Sequence, residues 1–149
     1  MFAAPPPLRV LLVDDDDAFA EMLTCLLGVT GVDVVGHAHD GAEGVELTLQ
    51  LEPDVVLMDV RMPRMDGLEA TRRIVGAVPG SRVLVVSSST DPDDVERALE
   101  AGADAYLSKD RVAAELADQM ESLRPLAGGP RRERPTSRLW GWRALEMFA

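Results

Sequence analysis

Cysteine, lysine and long apolar runs are what this chain has least of, and each shortage narrows what it can be. Cys25 is the only cysteine, so no disulfide can form within the chain, which fits a reducing compartment. The clearly apolar runs are about four residues long, far short of the ~20 that a bilayer-spanning helix needs. Residues 1–7 include Pro5, Pro6 and Pro7 but no basic stretch leading into an apolar one, so they do not read as a secretory signal. These features point to a cytoplasmic protein with no membrane partner. No glycine-rich loop follows any apolar run, which argues against nucleotide binding. Lysine occurs once, at Lys109.

What is present suits about one ordinary domain. The 149 residues are 46% hydrophobic and 28% charged, a globular profile with enough chain to bury a core. The net charge of −11 is uneven: residues 1–124 carry −14 and residues 125–149 carry +3. An acidic body argues against binding nucleic acid through its phosphates.

The short apolar runs recur between helical patterns. Val10–Val13, Val55–Met58 and Val83–Val86 read as strands buried on both faces, while Val32–Val35 and Ala105–Ser108 are less uniformly apolar and suit outer strands. Helical stripes lie between them: Phe19, Met22, Leu23 and Leu26; Ala42, Val45 and Leu49; Leu68, Thr71, Ile74, Val75 and Val78; Val95, Ala98 and Leu99; Val112, Leu116, Met120 and Leu123. Asp17, Asp40, Asp66 and Asp91 stand where helices should begin, and Gly31, Gly80 and Gly102 where they should end. Five βα units in strict alternation predict a doubly wound parallel sheet between helices, with right-handed crossovers. In such sheets ligands bind beyond the carboxyl ends of the strands, at the topological switch point.

Asp14-Asp15-Asp16-Asp17 follows the first strand and Asp59 the third. An isolated acidic run is most often a solvated loop, here with Asp17 as the helix cap. Adjacent first and third strands would instead bring Asp14, Asp15 and Asp59 together, and carboxylates that close repel unless a cation intervenes. An all-oxygen cluster with room for water and phosphate suits Mg²⁺. Ser87 at the end of the fourth strand and Lys109 after the fifth add a hydroxyl and an ammonium. Together these groups could neutralise a carboxylate nucleophile and hold the oxygens of a transferring phosphoryl group. A chain that uses arginine everywhere else places its one lysine here, as a compact charge for one oxygen.

On these residues the body resembles the receiver domain of bacterial two-component response regulators. The resemblance rests on Val13-Asp14-Asp15, the run Asp59 to Gly67, Val86-Ser87-Ser88, and Gly102 to Lys109, and it spans roughly residues 8–123. It implies a flavodoxin-like (βα)5 fold with strand order 2-1-3-4-5. It also implies Asp59 as phosphoacceptor and Mg²⁺ held by Asp14, Asp15, Asp59 and the Arg61 carbonyl. Lys109 would pair with Asp59 or its phosphoryl group, Ser87 would bond a phosphoryl oxygen, and Tyr106 would reorient with it. The implied partners are a sensor histidine kinase and a second copy or target protein on the face that switches. Asp110 replaces the proline usual after the lysine, a pairing that resembles the subgroup with LuxR/NarL-type helix-turn-helix outputs. Asp16 is expected to add a further carboxylate near the site.

Residues 1–7 read as an extension, 8–123 as the receiver, 124–138 as a Pro/Gly/Arg-rich linker and 139–149 as a short tail. The tail is faintly similar to the opening helix of a LuxR-type DNA-binding domain and is read as a remnant or truncation of one. With no recognition helix after it, the chain is not expected to bind DNA specifically. His37 and His39 lack a cysteine or carboxylate at ligand spacing along the sequence and are not read as a metal site, and Cys25 reads as a small packed hydrophobe. Two rival functions remain. One is an aspartyl-phosphate enzyme of the haloacid dehalogenase type with its nucleophile at Asp14, which leaves Asp59 and Lys109 unexplained. The other is a pseudo-receiver that binds partners without phosphorylation, against which the intact acidic set argues.

Overall fold

The computed structural model describes residues 6–125. Five strands, β1 (Arg9–Val13), β2 (Asp33–Ala38), β3 (Val55–Met58), β4 (Arg82–Ser87) and β5 (Ala105–Ser108), alternate with five helices. The helices are α1 (Asp17–Val29), α2 (Gly41–Leu51), α3 (Gly67–Ala77), α4 (Pro92–Glu100) and α5 (Val112–Ser122). All pairs are parallel, in the order β2-β1-β3-β4-β5. The runs expected to be buried on both faces, β1, β3 and β4, are the three inner strands, and the more mixed runs form the edges.

Alternation along the strands splits the core into two layers. Val10, Leu12, Leu57 and Val86 pack with Leu23, Leu27, Leu116 and Met120, under α1 and α5. Leu11, Val13, Val56 and Met58 pack with Ala70, Ile74 and Ala98, under α3 and α4. The α5 stripe is buried as expected. In α2 the expected stripe is displaced: Gly41, Gly44 and Thr48 are the buried positions, while Ala42 and Leu49 are exposed. Small residues face the sheet there because α2 lies close; a Cβ on Gly44 would stand 2.8 Å from Val13 Cγ1.

Asp40, Asp66 and Asp91 cap α2, α3 and α4, each accepting a hydrogen bond from a backbone N–H in the first turn. The cap of α1 is Asp16 and not Asp17: its carboxylate accepts from the Phe19 N–H at 3.2 Å. Four consecutive aspartates carry no pattern to tell one register from the next. Cys25 is exposed rather than packed, because α1 buries Ala20, Leu23 and Leu27 and turns Cys25 away from the sheet. No described helix is long and apolar enough to cross a membrane. The proposed tail, residues 139–149, and most of the proposed linker lie outside the described residues.

Candidate functional site

The register of the sheet assembles the site. Val13 of β1 pairs with Met58 of β3, so the next residues, Asp14 and Asp59, emerge side by side. Their backbones are tied into the sheet as well: Asp59 N–H donates to Val13 C=O at 2.9 Å and Asp14 N–H to Ala38 C=O at 3.0 Å. On the other flank, Ser87 of β4 pairs with Ser108 of β5, which brings Lys109 to the same end. Asp14 and Asp59 are buried, at 3% and 8% exposure, and Asp15 is exposed. One carboxylate oxygen from each of Asp14, Asp15 and Asp59 lies within 4.8 Å of the others.

Lys109 Nζ reaches into this group, 3.2 Å from Asp14 Oδ2 and 3.6 Å from Asp59 Oδ1. It also sits 4.4 Å from the centre of the Phe19 ring, a cation–π contact that helps to hold the ammonium in place. One ammonium does not balance the acids. Burial is the main force pushing the Asp59 carboxyl up to about 6, and Asp14 adds to it, against the pull of Lys109 and of a hydrogen bond from the Val60 N–H. A buried carboxylate held that unfavourably is a place where a cation is wanted.

Ser87, the last residue of β4, is buried, and its Oγ accepts a hydrogen bond from Ser89 N–H at 3.2 Å. Ser89 in turn offers its carbonyl to the hydroxyl of half-buried Tyr106, at 2.7 Å. Ser87 and Tyr106 are thus joined through one loop residue. Arg61 is exposed on the loop that follows Asp59. Asp16, expected to enrich the acidic group, spends its side chain on the α1 cap.

The loop from Asp59 into α3 is fixed by close backbone approach. Gly67 N–H donates to Val60 C=O at 2.8 Å, and a Cβ on Gly67 would stand 1.9 Å from the Asp59 carbonyl oxygen. Arg64, at φ 66°, sends Nε to Asp40 Oδ2 at 2.9 Å. The Asp40 carboxyl is held below its ordinary value, first by the Glu43 N–H and then by Arg64. Two partners of the site were missed in the sequence, Phe19 and the Asp40–Arg64 pair. Nothing in a linear pattern marks contacts that depend on which strands are neighbours.

A parallel (βα)5 sheet with acids, a hydroxyl and a lysine at its carboxyl edge defines a class, and comparison with known proteins assigns it: the chain belongs to the response regulator receiver domain family, whose model matches residues 10–121. The transcriptional regulatory protein LiaR of Bacillus subtilis is 42% identical over 116 residues, covering 77% of this chain and 55% of LiaR. The chain thus spans about half the length of such curated relatives. The solved receiver domain of a NarL response regulator from Mycobacterium tuberculosis superposes with a TM-score of 0.71 at 36% identity, covering 78% of this chain and 98% of that one. A CheX–CheY complex with BeF3 and Mg²⁺ from Borrelia burgdorferi gives 0.75 at 28% identity, covering 78% and 89%.

Proposed function

We propose that this receiver is a phosphorylation switch in which Asp59 takes a phosphoryl group from a sensor histidine kinase. The observation that carries the reading is the juxtaposition of buried Asp59 with Asp14, Asp15 and Lys109 at one sheet edge. The carboxylates of Asp14, Asp15 and Asp59 form an all-oxygen donor set suited to Mg²⁺, with the Arg61 carbonyl as a further ligand. When bound, Mg²⁺ would neutralise the acids and the developing phosphoryl charge. The likeness to a CheY whose complex contains BeF3 and Mg²⁺ supports the same choice.

The chain's own residues then have distinct tasks. An Asp59 oxygen attacks phosphorus as the bond from phosphorus to the donor nitrogen or oxygen breaks, so the leaving group departs with its electron pair. Lys109 stays by the pocket and holds one phosphoryl oxygen. Ser87 gives its hydroxyl to another, and in turning it releases the Ser89 N–H. Because Ser89 also holds Tyr106, the change reaches the face formed by α4, β5 and α5, where a second copy or another protein would bind. Slow self-phosphorylation and self-dephosphorylation are the only chemistry this assigns to the chain. We place the domain at residues 8–123 of a cytoplasmic protein, and LiaR-like relatives favour a transcriptional output.

The test is intact-protein mass after incubation with acetyl phosphate and Mg²⁺. Wild type is expected to gain one phosphoryl group, with acetate released, and Asp59→Asn or Mg²⁺ removal to prevent it. A label persisting on Asp59→Asn would move the nucleophile to Asp14, and no label at all would leave a binding-only receiver.

A further inference from the structure

The two histidines set aside in the sequence acquire a carboxylate partner in the fold. His37 pairs with Leu12 in the β1–β2 register, on the α1 face of the sheet, and the two-residue period puts His39 on the same side. The imidazoles lie 4.2 Å apart between ring centres. Across from them is Asp17 in the first turn of α1, whose carboxylate is free for other work because Asp16 caps the helix. Asp17 Oδ1 is 3.1 Å from His39 Nε2, and ligand atoms of Asp17, His37 and His39 all lie within 4.8 Å of one another.

We propose that Asp17, His37 and His39 form a second divalent-metal site, one for a nitrogen-seeking ion such as Zn²⁺, beside the acidic pocket and chemically distinct from it. The support of the first ligand is already built. His37 Nε2 lies 2.9 Å from the Asp14 carbonyl oxygen, which can only accept, so that nitrogen carries the proton and Nδ1 keeps its lone pair. A ring nitrogen anchored on a backbone carbonyl while the other faces the ion is the usual support of a metal-bound histidine. His39 lies between acids, with Glu43 Oε1 3.4 Å from its Nδ1 and also accepting from its backbone N–H at 2.7 Å. A pocket of about 450 Å³ lined by Asp17, Glu21, Cys25 and His37 opens beside two of the three ligands and gives an ion a route from solvent. Two imidazoles and a carboxylate suit Zn²⁺, Ni²⁺ or Cu²⁺, whereas the acidic pocket offers oxygen alone. The side chains of His39 and Asp17 are 53% and 76% exposed, so the site is open, with positions left for water.

The chain has only two histidines, so every imidazole signal reports on this site. The experiment is calorimetric titration of the full chain with Zn²⁺ in a large excess of Mg²⁺, paired with NMR of the imidazole nitrogens. Expected are Zn²⁺ binding that survives both the excess Mg²⁺ and Asp59→Asn, and shifts at both rings. His39→Gln should weaken binding by about 10-fold or more, since losing even a hydrogen-bond partner behind a metal ligand costs about 10–100-fold. His39 is exposed, and a thermal melt of the variant separates lost binding from lost folding. Zn²⁺ binding that Mg²⁺ or Asp59→Asn abolishes and His39→Gln leaves intact would put the ion in the acidic pocket and overturn the proposal. So would the absence of any Zn²⁺ binding to the folded wild type.

Discussion

Asp59 is the residue with most at stake, because it is buried, faces Asp14 and has only part of Lys109 for relief. Its carboxyl is raised from 3.8 to about 6, so the folded protein holds a proton there that the unfolded chain has released. That contribution to stability is fully present below the ordinary value and is lost as pH rises through about 6. Asp40 works the other way, since its lowered carboxyl stabilises the fold until acid protonates it. The difference between wild type and Asp59→Asn isolates the first effect. In EDTA, urea unfolding across this window should show wild type falling relative to Asp59→Asn as pH rises. A shift of that size corresponds to about 3 kcal/mol unscreened, and nearer 1–2 kcal/mol with water reaching the pocket. A constant difference across the window would mean the Asp59 carboxyl titrates normally. Mg²⁺ held by these acids, as proposed, would compete with the same proton, so a stabilising effect of added Mg²⁺ is expected to grow with pH over the same range.

At the scale of elements, the loop between β3 and α3 tolerates least. Gly67→Ala drives a methyl group against the Asp59 carbonyl, backbone against which no rotamer change gives relief. The expected cost is about 2–3 kcal/mol with phosphoryl acceptance impaired as the loop shifts, read from denaturant midpoints and acetyl phosphate labelling. The elements themselves were largely legible beforehand. β3 and β5 fall on the residues expected, since short apolar runs between turn residues leave little freedom, and the α5 stripe is the buried one. Asp14, Asp15, Asp59, Ser87 and Lys109 could be placed at one edge because each ends a strand or follows one within two residues. The failures share a cause. The buried face of α2 is made of glycine and threonine, which no hydrophobic stripe reveals, and the α1 cap was lost among identical neighbours. His39 and Asp17 stand 22 residues apart, so their contact exists only once β2 lies beside β1.

Over the whole molecule, the acidic excess of residues 1–124 exceeds anything the described ion pairs can offset locally, and the compact state must bear the mutual repulsion. Raising NaCl from about 0.01 to 0.15 M shortens the screening length from about 30 to 8 Å. The melting temperature should therefore rise, by about 4 °C if the relief is near 1 kcal/mol; a fall would show that attractive pairs dominate. Topology has a further consequence through the ion pair of Lys109 with Asp14, whose members are 95 residues apart in the chain. Neither the first half of the chain nor the second contains all the groups of the pocket, and a nascent chain has no complete pocket until β5 has docked against β4 and brought Lys109 to the acids. Under the proposed switch, a half-made molecule would lack its lysine and could not receive a signal; the fold would act as its own licence, admitting only a chain whose last strand has docked.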